Sequence, residues 1–212
     1  MQGKFITIEG TEGVGKTTNI EFIQHWLNRR GVEFVSTREP GGTPLAEQVR
    51  ELLLTPREEK VGDSTELLLM FAGRAQHLDQ VILPALDSGT SVLCDRFTDA
   101  SYAYQGFGRE MDCSLIAKLE QIIQGDLRPD LTLILDIPVE IGLKRASERS
   151  TPDRFEQEQI EFFDRVRQGY LKIAEENPER CTVIDASQSL DQVQASIEAV
   201  LENFYSQASA TE

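Results

Sequence analysis

The feature that most constrains the fold is the glycine-rich segment GTEGVGKT at residues 10–17, which directly follows the apolar run FITIE. Behind it, apolar residues recur at Ile20, Ile23 and Leu27, which is helical spacing. The pattern G-x-x-x-x-G-K-[ST] between a strand and a helix is typical of a phosphate-binding loop. Glycines let backbone N–H groups turn inward around phosphate oxygens, and the helix N-terminus adds partial positive charge. The sequence therefore predicts a P-loop NTPase fold and a bound nucleotide.

Four more short apolar runs follow along the chain: VEFVST, TSVLCD, LTLILD and CTVID. Helical patterns lie between them, at roughly 64–86, 112–124 and 139–149, and in a long helix that ends near residue 176. Strands that alternate with helices predict the α/β class, here a five-stranded parallel sheet flanked by helices on both faces. We expect one domain over residues 1–212, with a last helix that ends near Tyr205 and a polar loop, RFTDASYAYQGFGRE, after the third strand.

The charge balance limits the possible partners. The net charge is −15 and the isoelectric point about 4.6, so the surface should repel the phosphate backbone, and we expect no nucleic-acid partner. The three cysteines are widely spaced and form no CxxC pair, which favours a reducing compartment and a cytoplasmic location. No apolar segment is long enough to predict a membrane span.

The loop itself suggests how a nucleotide is held. Lys16 is expected to reach the β and γ phosphates of ATP, and Thr17 to offer its hydroxyl to Mg²⁺. A GTPase switch would carry the base-reading sequence N-K-x-D, which is absent from the chain. The predicted ATP-binding residues of the loop are Gly10, Thr11, Glu12, Gly13, Val14, Gly15, Lys16, Thr17 and Thr18.

Three further segments place polar side chains after predicted strands, where ligands bind in open α/β sheets. TREPGGTP brings Arg38, and DRF brings Asp95 beside Arg96, which could clamp a phosphate. In SYAYQGFGR, the amide of Gln105 offers a donor and an acceptor to a nucleobase edge. Taken alone, the first segment is better explained by a charged turn, whereas a structural salt bridge and a packed loop explain the second and third segments as well as a ligand site does.

Taken together, the segments resemble the thymidylate kinase family. The resemblance rests on FITIEGTEGVGKTT, TREPGGTPLAEQVRELLL, FAGRAQH, CDRFTDASYAYQGFGR, GDLRPDLTLILD and DRFEQE, and covers nearly the whole chain. It implies transfer of the γ-phosphoryl group of ATP, with Mg²⁺, onto the 5′ phosphate of dTMP, which supplies dTTP for DNA synthesis. It also implies a homodimer.

The resemblance implies roles for individual residues. Glu12 would accept from the 3′ hydroxyl of the acceptor sugar, and Tyr104 would guard against a 2′ hydroxyl. Glu9 and Asp95 would organise the waters of the metal. The other residues that the resemblance places around the acceptor are Arg38, Arg50, Arg96 and Ser101. Glu39, which follows Arg38 at the end of the second predicted strand, is also a candidate acceptor-binding residue because of that position.

Arg74 and Gln105 would read the thymine edge. Relatives often carry a phenylalanine four residues before this arginine, where it stacks on thymine, but here that position is Met70 and Phe71 comes next. One residue turns a helix by about 100°. Either Met70 lines the base or a small shift brings Phe71 in, and ordinary core packing would explain both.

The basic stretch RASERSTPDRFEQE stands out in such an acidic chain. Because the phosphate loop contains no arginine, the resemblance implies that a lid over about residues 145–156 supplies Arg149 and Arg154 to the phosphates, with Arg145 nearer the ATP. A lid would also exclude water, which competes for the phosphoryl group. A solvated helix face is the alternative reading of this stretch.

Two other functions remain open at this point. The acceptor could be a different nucleoside monophosphate or a deoxynucleoside, in which case Arg74 and Gln105 would not determine acceptor choice. A regulatory ATPase would hydrolyse ATP without any acceptor, and it would have no need of a second nucleotide pocket.

Overall fold

The computed structural model describes residues 3–148 and 153–209. Five parallel strands form one sheet in the order β2-β3-β1-β4-β5, which confirms the predicted sheet. The strands are β1 (Phe5–Glu9), β2 (Phe34–Arg38), β3 (Ser91–Asp95), β4 (Leu131–Asp136) and β5 (Cys181–Asp185). Because β1 lies between β3 and β4, the loop that follows it emerges at the middle of the sheet edge, where the neighbouring carboxyl ends also point.

Nine α-helices lie among the described residues. They are α1 (Lys16–Arg29), α2 (Pro44–Leu54), α3 (Asp63–His77), α4 (Leu83–Asp87), α5 (Thr98–Ser101), α6 (Cys113–Ile123), α7 (Val139–Ser147), α8 (Ile160–Glu176) and α9 (Leu190–Ser209). A π-helical turn at Leu78–Ile82 joins α3 to α4, so the predicted helix over 64–86 is one helical stretch that contains a turn with more residues than an α-helical turn.

The core lies on both faces of the sheet, because successive side chains of a strand point to opposite faces. On β1, Ile6 and Ile8 pack with Trp26 of α1 in one cluster. Phe5, which points the other way, packs against Phe97. Helices therefore cover each face, as predicted.

The prediction of a polar loop after β3 is wrong, because most of this segment is helical. After α5 the chain continues as a π-helix over Tyr102–Gly108. Glycines of the π-helix and of α8 permit close packing between the two. A Cβ on Gly108 would lie 2.6 Å from the ring of Phe162, and one on Gly169 would lie 2.8 Å from Phe107.

Smaller differences concern the ends of the chain. The last helix, α9, extends to Ser209 rather than ending near Tyr205. The predicted lid residue Arg149 lies outside the described residues. Within residues 3–148 and 153–209, no helix combines the length and apolar character that a membrane span requires.

Candidate active site

A cavity opens beside the phosphate loop, at the carboxyl edge of the sheet. Most of the residues that were predicted to bind the acceptor line it, although they come from several different elements. These cavity-lining residues are Glu12, Glu39, Arg50, Met70, Arg74, Arg96, Ser101, Tyr104 and Gln105. The sequence prediction therefore identified the wall of one pocket.

The phosphate loop connects β1 to α1 through residues 10–15. Gly13 has a φ of +74° and faces the backbone of α7, where a Cβ would lie 1.9 Å from the carbonyl oxygen of Gly142. Lys16 folds back over the loop and donates to the carbonyl oxygens of Gly10 and Thr11 at 3.2 and 3.3 Å. Burial, and then the nearby Arg96 guanidinium, lower the pKa of Lys16 to about 8.

Glu12, Arg96 and Tyr104 form a compact cluster where the loop meets the cavity. Arg96 donates to Glu12 at 2.9 Å and to the Tyr104 hydroxyl at 2.8 Å, and its backbone holds a positive φ of 67°. The Tyr104 hydroxyl also contacts both carboxylate oxygens of Glu12, at 2.7 and 2.9 Å. Burial opposes ionisation of Glu12, but Arg96 and Lys16 outweigh it and hold its pKa below the ordinary value.

Arg74 lines the cavity from α3. Its Nε donates to Glu39 at 2.7 Å, and Glu39 in turn contacts Nδ1 of His77 at 3.0 Å. Its guanidinium lies over the rings of Phe71 and Phe97, at 4.6 and 5.3 Å from their centroids. The Nη1 atom of Arg74 is buried and has no hydrogen-bond partner among the described residues, so it is a donor available to a ligand.

A third carboxylate, Glu66, was missed by the sequence analysis. It is fully buried and accepts from Gln105 at 2.8 Å, from Arg109 at 3.2 Å and from Arg154 at 2.7 Å. Glu66 lies eight residues before Arg74, and so on the same face of α3. That spacing was the available signal, but an acidic residue in the first turn of a helix is ordinarily explained by the helix dipole.

The structure distinguishes Met70 from Phe71. Met70 lines the cavity, one helical turn before Arg74. Phe71, which is 2% exposed, instead packs with Leu67 and Ile116 beneath the Arg74 guanidinium. Phe71 is therefore a packing residue and not part of the cavity wall. Adjacent residues on α3 point to different faces of the helix, so Met70 and Phe71 have different surroundings.

Arg38 and Arg50 are placed differently from each other. Arg50 lines the cavity and donates to the carbonyl oxygen of Pro40 at 2.9 Å. Arg38 lies in a neighbouring groove with Asp95, where it pairs with Glu47 at 2.9 Å, and its side chain is 53% exposed. Arg38 would have to exchange this pairing for a ligand phosphate.

Glu9 does not fit its predicted metal role. Its side chain points into the core, where its oxygens accept from the Phe97 backbone N–H at 2.7 Å and the Tyr170 hydroxyl at 2.8 Å. Burial, and then the charge of Asp99, raise the pKa of Glu9 to about 8. The raised pKa disfavours the ionised form that a metal ligand requires, and both carboxyl oxygens already accept hydrogen bonds.

Asp95 fits an indirect metal role better. Its Oδ1 is buried and lacks a hydrogen-bond partner among the described residues, which marks an acceptor that a ligand or a water could satisfy. Thr17 is exposed at the start of α1. Residues 3–148 and 153–209 contain no cluster of three metal-ligating side chains. Such a donor set suits Mg²⁺, which keeps several waters and is held through phosphates together with one or two carboxylates.

The basic stretch is described except for residues 149–152. Arg145, in the last turn of α7, approaches the carbonyl oxygen of Ala186 at 3.5 Å. Arg154 donates to the carbonyl oxygen of Leu53 at 2.6 Å and to Glu66, so it is tied to the acceptor side of the cavity. Its predicted contact with the transferred phosphate stays a prediction.

Comparison with known proteins agrees with the geometry of this site. The family described as thymidylate kinase matches residues 8–197. The chain is 61% identical to a thymidylate kinase of Ectopseudomonas mendocina over 201 residues, which cover 95% of this chain and 96% of that protein. It is 57% identical to one from Teredinibacter turnerae, covering 96% of this chain and all of that protein. A crystal structure of thymidylate kinase from Ehrlichia chaffeensis superposes with a TM-score of 0.78 at 36% identity and covers 95% of this chain and 100% of that one.

Proposed function

The chain belongs to the thymidylate kinase family, and from that premise we propose that it transfers the γ-phosphoryl group of ATP to the 5′ phosphate of dTMP. The observation that carries the proposal is the cavity itself. The cavity adjoins the phosphate loop through Glu12 and Arg96, and its wall also contains Arg74 with an unpartnered donor. A monophosphate bound between them has its phosphate near the donor nucleotide and its base at the far end.

On the donor side, the loop backbone holds the ATP phosphates and Lys16 supplies the principal charge. Phosphoryl transfer requires little covalent chemistry from the protein, so positioning and charge stabilisation dominate. Lys16 now rests on carbonyl oxygens of its own loop, and the β and γ phosphates replace those acceptors. We assign Arg145, which approaches the carbonyl oxygen of Ala186, to the ATP end of the site.

We assign the metal position to Thr17 and Asp95, and leave Glu9 out. Thr17 would hold Mg²⁺ through its hydroxyl, and Asp95 would hold it through a water. When bound, Mg²⁺ neutralises charge on the β and γ phosphates.

On the acceptor side, Arg96 orients the phosphate of dTMP and Arg50 supports it. Tyr104 stands beside the sugar, held by Glu12, and restricts the space for a 2′ hydroxyl. Arg74 and Gln105 contact the edge of the base, and Met70 lies against its face. Arg149 and Arg154 act from the lid on the transferring phosphoryl group.

We also propose a homodimer, formed through α3 and α6. These helices pack on each other through Leu67, Phe71 and Ile116 and leave apolar side chains exposed on their outer faces. The exposed fractions are 58% for Leu68, 46% for Leu115 and 75% for Ile122. Sedimentation of the wild type beside a Leu68→Glu variant tests this, because a monomeric wild type would contradict it.

The predicted cytoplasmic location accords with the free thiols of the described cysteines.

The deciding experiment measures ADP release with MgATP and dTMP, dUMP, dCMP, dGMP or no acceptor. We expect strong turnover with dTMP and little with dCMP or dGMP. Turnover that does not depend on an acceptor would instead establish an ATPase. A preference for another monophosphate would contradict the roles given to Arg74 and Gln105.

A further inference from the structure

Glu66 is a buried carboxylate without a role in the proposed reaction. A buried charge is costly unless it is paired, and Arg109 and Arg154 both pair with it. The third partner is the uncharged amide of Gln105, which is 1% exposed and donates from Nε2 at 2.8 Å. The two arginines already compensate the charge of Glu66. The contact with Gln105 is therefore not needed for charge balance, and its effect is on the orientation of the Gln105 amide.

A glutamine side chain can present either its carbonyl oxygen or its NH₂ group to a ligand. An ionised carboxylate only accepts hydrogen bonds, so it selects the NH₂ group and leaves the carbonyl oxygen as the other end of the amide. We infer that Glu66 is a positioning residue that fixes the polarity of base recognition, by holding Gln105 with its carbonyl oxygen toward the cavity. This inference rests on the proposed function.

Glu66 acts together with Arg74, which lies on the same face of α3. The cavity then presents a donor, the Nη1 of Arg74, and an acceptor, the oxygen of Gln105. Thymine offers the complementary pair, because its O4 accepts and its N3–H donates. Neutral cytosine offers the reverse, because its 4-amino group donates and its N3 accepts. A rotated Gln105 would present its NH₂ group to the N3 of cytosine, and Glu66 opposes that rotation.

The test is the variant Glu66→Gln, which keeps the shape of the side chain. An amide at position 66 can accept or donate, so Gln105 is no longer restricted to one orientation. The readout is the ratio of kcat/KM for dTMP to kcat/KM for dCMP. We expect this ratio to fall by about tenfold or more, since a pocket built around hydrogen bonds discriminates through their polarity. The ratio for dTMP over dUMP should not change, because both bases share the same edge.

A ratio separates this effect from general damage. Loss of the carboxylate also leaves Arg109 and Arg154 without their shared partner, but any resulting fall in turnover applies to both acceptors and cancels. In a Gln105→Leu background, Glu66→Gln should produce no further change in the ratio. An additional change there would contradict action through Gln105.

The chain offers a matched control in Glu120 of α6, which is 7% exposed. It accepts from the amide of Gln124 at 3.3 Å and from Tyr102 at 2.6 Å, and it pairs with Arg128 at 3.1 Å, so its environment resembles that of Glu66. It does not line the cavity. Glu120→Gln should leave the dTMP to dCMP ratio at its wild-type value.

The outcomes are distinguishable. An active, folded Glu66→Gln enzyme with an unchanged ratio overturns the inference, whereas a wild type without dTMP activity overturns the proposed function. If Glu66→Gln does not fold, nuclear magnetic resonance of the wild type decides the question. We expect the side-chain amide protons of Gln105 to exchange slowly with water and to depart from random-coil chemical shifts, with and without dTMP. Rapid exchange at random-coil shifts would show that Glu66 does not hold the amide.

Discussion

The donor and acceptor regions of this molecule are built in different ways. The donor region is one short loop whose ligand groups are backbone N–H groups, with Lys16 bonded to the loop itself and Thr17 exposed. The acceptor region is held by buried carboxylates that bind side chains distant in sequence, such as Glu39 with Arg74, 35 residues apart. Glycine conformation therefore shapes the donor site, whereas long-range ion pairing shapes the acceptor site.

This difference has a consequence for how each site responds to change. A phosphate entering the loop meets donors that need few rearrangements, since the ligand replaces contacts within the loop. A group lost from the acceptor wall leaves a buried partner uncompensated, which costs more than the contact itself. We therefore expect substitutions in the donor region to alter mainly kcat, and substitutions in the acceptor region to alter mainly kcat/KM for dTMP.

The largest expected effect is that of Lys16→Met on turnover. We expect kcat to fall by roughly 10²–10³-fold, because a preorganised charge that stabilises the transition state is lost. The affinity for dTMP, measured by calorimetry, should change little, since Lys16 does not line the acceptor cavity. A loss of dTMP affinity as large as the loss of kcat would show that the two regions are not separate.

Arg74→Met should produce the opposite pattern. We expect kcat/KM for dTMP to fall by roughly 10²-fold, because a donor to the base is removed and Glu39 loses a charged partner. The KM for ATP should stay near the wild-type value. Arg74→Lys is the matched control for charge, and it should not restore activity because a point charge cannot reproduce the fork of an arginine.

The sequence predicted the position of the phosphate loop between β1 and α1, for a physical reason. The loop is contiguous, and its function follows from glycines, a lysine and a hydroxyl at fixed spacing, so local chemistry determines it. The alternation of apolar runs and helical patterns likewise predicted the five-stranded parallel sheet.

The acceptor region could be predicted only in part. The resemblance supplied Arg74, Gln105 and Tyr104, but not Glu66, whose importance depends on the approach of Arg154, 88 residues away. The π-helix over Tyr102–Gly108 was also missed, because its glycines are required by contacts with α8 rather than by a turn. The contact of Glu9 with Tyr170 could not be predicted either, since only the fold brings these two residues together in the core.

The pH dependence of the two regions should differ, with a smaller effect than either substitution. The pKa of Lys16 is lowered to about 8, so the lysine carries its charge below that pH and loses it above. With dTMP saturating, kcat/KM for ATP should therefore fall as pH rises through 8, approaching roughly tenfold per pH unit. Arginines remain charged throughout this range, so dTMP binding should change less.

Lys16→Arg gives the control for this profile. A guanidinium at position 16 stays protonated, so any residual activity should remain flat between pH 7 and pH 9.5. A profile in which both enzymes decline together would assign the titration to another group.

The smallest effects should separate Met70 from Phe71, which are adjacent in sequence but belong to different parts of the acceptor region. Met70 lines the cavity, so Met70→Leu should raise the KM for dTMP by only a few fold and leave the melting temperature unchanged, because the swap nearly conserves volume. Phe71 is packed under Arg74, so Phe71→Leu should destabilise the fold by about 1–2 kcal/mol. For a chain of this size that corresponds to roughly 2–8 °C in melting temperature.

Measuring both quantities for both variants completes this comparison. If Phe71→Leu instead raised the KM for dTMP more than Met70→Leu, without a change in melting temperature, then Phe71 would contact the base. α3 would then have to rotate when dTMP binds, since the two side chains point to different faces of the helix. Glu66 and Arg74 share the face of Met70, so such a rotation would also break their contacts with Gln105 and Glu39. The Met70 and Phe71 variants therefore test whether the acceptor wall stays rigid and keeps these contacts when dTMP binds.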